Sequence, residues 1–339
     1  MNVILRWLKL DKLRVAVVGF GKMGMVHAGI LNVLSDVELV AICERSGLVR
    51  RFLRKALRNV AVVEDVSKLS GFNLDAVYVT TPIAAHFPIV RSLYEEGVAR
   101  NIFVEKTLAS NFAEAEQLCS LAEKHGGATM VGYLRRFCVT FMKAKELIDG
   151  GSLGSVSSFR AYAFSSDFFG VDADAKVKVP RVGVVRELGC HALDLAFWLF
   201  GSLRVVEASV EASLNGSVAD SAHFVVESVE GVSGEFNVSW CQEGYRLPEV
   251  GFSVEGSEGC LSVNDDEVVL KLKSGLSRRW FRHDLNDAVG FWLGIPEYYR
   301  ENLHFVQSLV GGGKPEPSFK AAAEVDRLID EVSAKAKGL

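Results

Sequence analysis

Three short stretches hold residue types that can do chemistry. The first is Ile102-Phe103-Val104-Glu105-Lys106-Thr107-Leu108-Ala109, where an apolar run ends on an acid and a base. An isolated pair of this kind is usually a solvated strand end, so its meaning depends on what surrounds it. The second, Arg186-Glu187-Leu188-Gly189-Cys190-His191-Ala192-Leu193-Asp194, carries a histidine, the side chain that exchanges protons nearest neutral pH. Glu187 and His191 are four residues apart and share one face if the turn between them is already helical. A plain reading remains open for each. Glu187 suits a helix N-terminus, where the dipole favours an acid, and His191 suits a satisfied helix-start position with Asp194 as partner.

The third stretch, Gly19-Phe20-Gly21-Lys22-Met23-Gly24, is G-x-G-x-x-G between a strand and a helix. The first glycine permits the tight turn, the second lets a pyrophosphate approach the backbone, and the third allows close helix–strand packing. Unpaired N–H groups at the helix start then face the phosphates. Glu44 ends the following strand, where an acid holds the adenosine ribose hydroxyls. That acid favours NAD by repelling a 2′-phosphate, while Arg45 beside it leaves NADP open.

These stretches need elements to position them. Residues 14–18, 37–43, around 62, 76–80, 102–105 and 128–133 read as strands. Helical patterns separate them, with inner faces through Met23, Val26, Ile30 and Val33 in the first and Leu48, Phe52, Ala56 and Leu57 in the second. Asn111 and Glu114 have the spacing of a later helix start. Strand–helix alternation predicts a doubly wound parallel sheet covered on both faces. Val79-Thr80-Thr81-Pro82 and then His86 fall at the carboxyl end of the fourth strand, and Glu105-Lys106 at the end of the fifth. Ligands of such sheets bind beyond those ends, so both segments are expected to border one cleft. His86 serves equally as a helix N-terminal residue or as cleft lining.

Beyond residues 150–154 the pattern changes to long period-two segments with short turns, which predicts a mostly antiparallel sheet. A strongly apolar helix over 191–200 interrupts it, and helices near 298–309 and 321–335 close the chain. The expected division is a Rossmann domain over 12–133 and an α+β domain with a large open sheet over 134–339, with the C-terminal helix able to pack back on the first. The 339 residues, net charge of −4 and pI near 6.0 offer no basic footprint for nucleic acid. The apolar N-terminus, MNVILRWLKLDK, lacks the core and cleavage site of a signal peptide, and no run suits a membrane span. Six cysteines without a C-x-x-C pair fit reduced thiols in a cytoplasmic protein, and no His/Cys cluster has metal-ligand spacing.

In order along the chain, VVGFGKMG, VTTPIAAH, VEKT, VGYLRRF, SLGSV, RELGCHALDLAFWLFG and VEGSEGCLSV resemble the glucose-fructose oxidoreductase / inositol dehydrogenase / MocA (Gfo/Idh/MocA) family of NAD(P)-dependent oxidoreductases. The resemblance covers nearly the whole chain. It implies that Lys106, matching the lysine of an E-K-P motif, lies by the nicotinamide and the reacting oxygen, with His191 as acid/base and Glu187 in a supporting acidic position. Tyr133 and Arg136 match a segment lining the cleft beside the cofactor. Together these imply a catalytic set of Lys106, His191 and Glu187, with Tyr133 joining them at the substrate. The cofactor set is Gly19, Gly21, Lys22, Met23, Gly24, Glu44, Arg45, Thr80, Thr81, Pro82, His86, Glu105, Lys106 and Arg136. Glu105 either orients Lys106 or lies along the cofactor ribose. The resemblance further implies a polyol or sugar substrate, and a homodimer or homotetramer built through the second sheet.

Two positions depart from the family pattern. Thr107 replaces the proline, which implies a less constrained turn under Lys106, and Glu187 replaces the commoner aspartate. Three functions follow for comparison: a dehydrogenase of sugars or cyclitols, a cofactor-binding regulator without turnover, and a glycoside hydrolase using held NAD. Residues 164–180, polar and aromatic, are the expected substrate-selecting loop.

Overall fold

The computed structural model describes residues 12–170, 181–212 and 218–337. Most of the expected substrate-selecting loop, residues 171–180, lies outside the described residues. The chain divides into two compact units that are not continuous in sequence. One comprises 1–105, 118–132 and 290–319, and the other 106–117, 133–289 and 320–339.

The first unit is built on β1 (Leu13–Val18), α1 (Lys22–Val33), β2 (Val37–Cys43), α2 (Gly47–Ala56), β3 (Ala61–Val63), β4 (Ala76–Val79), α3 (His86–Glu95), β5 (Asn101–Glu105), the part of α4 (Phe112–His125) from Leu118 onward, and β6 (Thr129–Gly132). The six strands lie in the order β3-β2-β1-β4-β5-β6 and every pairing is parallel. Residues 76–79 of β4 are buried on both faces, as a parallel strand between helical layers requires. Strand order reverses between β1 and β4, so the glycine loop after β1 and Thr80 after β4 stand side by side at the switch point.

Two helix faces differ from expectation. In α1, Val33 is exposed, and the buried line runs through Gly24, His27, Ala28, Ile30 and Leu31. A later helix, Pro296–Gly311, packs on α1 and draws that line round toward His27. In α2, Leu48 and Phe52 are 79% and 66% exposed and only Leu53 is buried. The inward stripe of α2 therefore passes through Leu53, one residue round from Phe52.

The second unit contains α5 (Val139–Asp149), β7 (Val156–Phe164), α6 (Cys190–Phe200), β8 (Leu203–Glu211), β9 (Ser221–Ser228), β10 (Ser233–Ser239), β11 (Glu249–Gly256), β12 (Gly259–Asn264), β13 (Glu267–Leu272) and β14 (Ser277–Phe281). The helix Pro296–Gly311, α7, belongs to the first unit, and α8 (Phe319–Lys337) lies almost entirely in the second. The eight strands run β14-β13-β12-β11-β7-β10-β9-β8, antiparallel except where β10 meets β7. Helices α5 and α6 cover one face. Alternate residues supply an aromatic core there: Phe224 stacks on Phe236 at 4.6 Å, and Phe159 stacks on Phe200 of α6 at 4.4 Å. Helix α5 and strands β13 and β14 are not anticipated from the sequence. The pattern of β14, Ser277-Arg278-Arg279-Trp280-Phe281, has no buried residue to mark it.

Candidate active site

In the first unit the glycine loop is sewn to its neighbours. Gly19 N–H donates to the Cys43 carbonyl at 2.8 Å, and Thr80 Oγ1 donates to the Gly19 carbonyl at 2.7 Å. Gly19 has φ of +90°, a conformation only glycine adopts cheaply. A Cβ on Gly24 would lie 2.1 Å from the Gly19 carbonyl oxygen, whereas one on Gly21 would meet nothing within 4 Å. The loop is thus closed at its third glycine and open at its second. Gly21 caps α1 without any side-chain hydrogen bond, leaving the helix start to an outside acceptor. Lys22 is exposed and Met23 half-buried there. These are the properties a pyrophosphate cradle needs, so the loop fits a dinucleotide. Glu44 Oε2 accepts from Phe20 N at 2.7 Å and its Oε1 from Ser46 N at 2.6 Å, which fixes the carboxylate beside the loop. Arg45 is exposed next to it.

Thr81 and Pro82 follow at the end of β4, and the buried Thr81 hydroxyl has no hydrogen-bond partner among the described residues. His86 is buried, with Nε2 2.8 Å from the Thr81 carbonyl. This contact ties the start of α3 back to the end of β4. Glu105, at the end of β5, is buried, with Oε1 2.8 Å from Nε2 of His27. His27 Nδ1 lies 3.0 Å from Oδ1 of Asn302, whose amide donates to the Tyr298 carbonyl at 2.7 Å. Sequence reading finds no convergent pattern at His27. Its only signal is a polar residue in the buried line of α1.

In the second unit, Lys106 Nζ donates to the backbone carbonyl of Glu187 at 2.7 Å. The Lys106–Thr107 peptide is cis. Thr107 is fully buried, and its hydroxyl donates to the Ala109 carbonyl at 3.0 Å. Residues 185–189 form a single π-turn leading into α6. Such a turn closes i→i+5. The Glu187 carboxylate accepts from Arg181 Nη1 at 2.7 Å and Val182 N at 2.8 Å, so it is engaged away from His191 Nδ1.

His191 lies within α6, and its Nδ1 is buried with no hydrogen-bond partner among the described residues. Burial drives its pKa well below the ordinary histidine range, and the charges of Lys106 and Arg135 push the same way. The ring is therefore neutral at neutral pH. Tyr133 faces it edge-on at 6.4 Å, itself fully buried, and its hydroxyl has no hydrogen-bond partner among the described residues. Arg136 gives three hydrogen bonds of 2.7–3.1 Å to the buried Asp194, so its guanidinium fastens α6 rather than presenting a free fork. That arrangement also engages Asp194 away from His191. Cys190 is no alternative nucleophile, since burial pushes its thiol up to about 11. Lys106, Tyr133 and His191 thus gather in one unit, with Glu187 contributing its carbonyl. The described residues contain no group of three or more His, Cys, Asp or Glu placed to hold a metal ion, and no helix long and apolar enough to cross a membrane.

Both halves of the chain resemble known proteins. Residues 13–133 match the GFO_IDH_MocA model, described as an oxidoreductase family with an NAD-binding Rossmann fold, and residues 141–262 match the GFO/IDH/MocA C-terminal domain. Myo-inositol dehydrogenase Hyg17 of Streptomyces leeuwenhoekii is 27% identical, over 90% of each chain. The scyllo-inositol 2-dehydrogenase (NADP(+)) IolW of Bacillus subtilis is 26% identical, over 65% of this chain and 61% of its own. An uncharacterized oxidoreductase of Schizosaccharomyces pombe is 29% identical, over 59% of this chain, which spans 55% of that relative's length. Among solved structures, an oxidoreductase domain protein from Kribbella flavida superposes with a TM-score of 0.86 at 22% identity, covering 97% and 98% of the two chains. Levoglucosan dehydrogenase in complex with NADH and levoglucosan gives 0.84 at 20% identity, over 97% and 98%. At these identities the structural likenesses establish the fold.

Proposed function

Because the chain belongs to the GFO/IDH/MocA family of NAD-binding oxidoreductases, we propose that it transfers a hydride between a nicotinamide dinucleotide and a hydroxyl or carbonyl carbon of a polyhydroxy compound, with cyclitols and sugars as the substrate class. The observation that carries this reading is the pair formed by Lys106, anchored on the Glu187 carbonyl, and the buried neutral His191 with its open Nδ1. The inositol dehydrogenases among the relatives support the substrate class.

Gly19, Gly21 and Gly24 hold the pyrophosphate at the start of α1, and Glu44 receives the adenosine ribose hydroxyls. That carboxylate favours NAD over NADP. Bound nicotinamide supplies the hydride exchange. The chain's own residues manage charge and proton. The Lys106 ammonium stabilises negative charge developing on the substrate oxygen. Neutral His191 accepts the hydroxyl proton during oxidation. The resulting imidazolium is disfavoured by burial and by Lys106, so it passes its proton on readily, and in reduction it serves as the acid. Tyr133 borders His191 and restricts how substrate meets the ring. Glu187 acts through its carbonyl, as the acceptor that aims Lys106. Assembly as a homodimer or homotetramer uses the face of the eight-stranded sheet opposite α5 and α6, and sedimentation velocity tests it.

The experiment is to follow NADH formation with myo-inositol, scyllo-inositol and levoglucosan, repeated with NADP. Turnover with at least one of these, faster with NAD, is the expected result. Glycoside cleavage without net reduction of cofactor would instead identify the NAD-using hydrolase. Tight cofactor binding with neither activity would identify a regulator.

A further inference from the structure

The turn that presents Lys106 is held from a neighbouring residue of the site, Arg186. Arg186 is buried on the π-turn next to Glu187. Its Nη1 donates to the Ala109 carbonyl at 3.0 Å, to the Thr107 hydroxyl at 3.4 Å, and to the Asp326 carboxylate. Its Nη2 donates to Asp330 Oδ1 at 2.6 Å. Lys106 meanwhile reaches back to the carbonyl of residue 187. The two segments therefore grip each other in both directions. The lysine holds the π-turn by its backbone, and the arginine of the π-turn holds the lysine's turn by backbone and hydroxyl.

Two acids one turn apart on α8 complete the arrangement. Asp326 is fully buried; its Oδ1 takes Arg186 and its Oδ2 faces Ala109 N at 3.4 Å. Asp330 takes Arg186 with Oδ1 and Phe112 N with Oδ2, the latter at 2.8 Å. Each acid thus contacts both the guanidinium and the backbone that follows Lys106. Arg suits this place because its rigid planar fork serves several acceptors at fixed angles, which a lysine does not.

We propose that Arg186, braced by Asp326 and Asp330 and received by the Thr107 hydroxyl, is the positioning residue for Lys106. Its task is to hold the residue 106–109 turn so that Nζ stays on the Glu187 carbonyl. What the positioned lysine then does rests on the dehydrogenase reading above.

The test separates the two. Lys106 acetylation by limiting acetic anhydride is quantified by peptide mass spectrometry in the full-length protein, with the exposed Lys68 as internal reference and no substrate present. Removing only one member of a buried ion pair strands the other charge, so Arg186→Met is made together with Asp326→Leu. Thr107→Val and Thr107→Ser probe the hydroxyl without touching that pair. The double variant and Thr107→Val are expected to acetylate Lys106 several-fold faster relative to Lys68, with Thr107→Ser at the wild-type rate. On a substrate that the wild type turns over, kcat falls in step while the NADH dissociation constant stays unchanged. A lower melting temperature with unaltered Lys106 labelling in the double variant and in Thr107→Val would overturn the proposal and leave Arg186 as mere scaffolding. Absence of turnover in the wild type would defeat the dehydrogenase reading, while the labelling result still decides the role of Arg186.

Discussion

Each unit buries a histidine on a helix, and the two are opposites. In the first unit, His27 is fully buried with both ring nitrogens engaged, one by Glu105 and one by Asn302. In the second, His191 is nearly as buried, yet Nδ1 has no partner among the described residues and a neighbouring ammonium works against its protonation. Burial does not tell them apart. The completeness of the partner set does. A satisfied buried polar group contributes to fixing a fold, whereas an unsatisfied one costs stability and persists where something else needs it. His27 holds the end of β5, whereas in the proposed enzyme the open Nδ1 of His191 is the site that takes the proton.

That contrast can be broken by substitution. The largest effect is expected for His191→Phe, which keeps the ring and removes proton exchange. Steady-state turnover should fall by roughly 10²–10⁴, with NADH affinity retained. A rate within a few-fold of wild type would move His191 into the same class as His27. Next is His27→Leu, which leaves Glu105 and Asn302 without their ring partner. Chemical denaturation should show a loss of about 1–3 kcal/mol, while turnover by the folded fraction stays within a few-fold. A selective loss of kcat with normal stability would instead make His27 part of the chemistry.

The smallest effect sharpens the comparison through pH. The folded pKa of His191 is depressed below its unfolded value near 6.5, so below pH 6.5 the unfolded chain binds a proton that the native ring refuses. Wild type therefore loses stability relative to His191→Phe as pH falls from 6.5 toward the folded pKa, with a slope that approaches about 1.4 kcal/mol per pH unit between the two pKa values. Parallel stability curves for the two proteins between pH 5.5 and roughly 7.5 would contradict the buried neutral ring.

Much of the first unit was legible in the sequence. Parallel strands buried on both faces appear as short apolar runs, and the glycine loop and Glu44 declare themselves by spacing and context. The second unit was harder to read. The antiparallel segments with one buried face announced themselves by alternation, but β14 has no buried residue to do so. Lys106 and His191 were visible as residue types. How they are held was not. The Glu187 carboxylate is taken up by Arg181 and Val182 ahead of the helix, partners that its spacing to His191 does not reveal. Thr107 suggested a loosened turn, whereas the structure gives that turn hydrogen bonds from Arg186 and to Ala109. The partners of Arg186 are 140 and 144 residues away, and Asn302 is 275 from His27, separations at which no local pattern operates.

In the proposed enzyme Lys106 acts on the reacting oxygen, and the cofactor binds independently of it. Lys106→Met tests this most directly when single-turnover NADH formation is measured beside the NADH dissociation constant, on whichever inositol or sugar the wild type oxidises. Loss of the hydride-transfer signal by about 10³-fold or more is expected, as for removal of a strong oxyanion stabiliser, with cofactor affinity within a few-fold of wild type. Hydride transfer at the wild-type rate in Lys106→Met would contradict it.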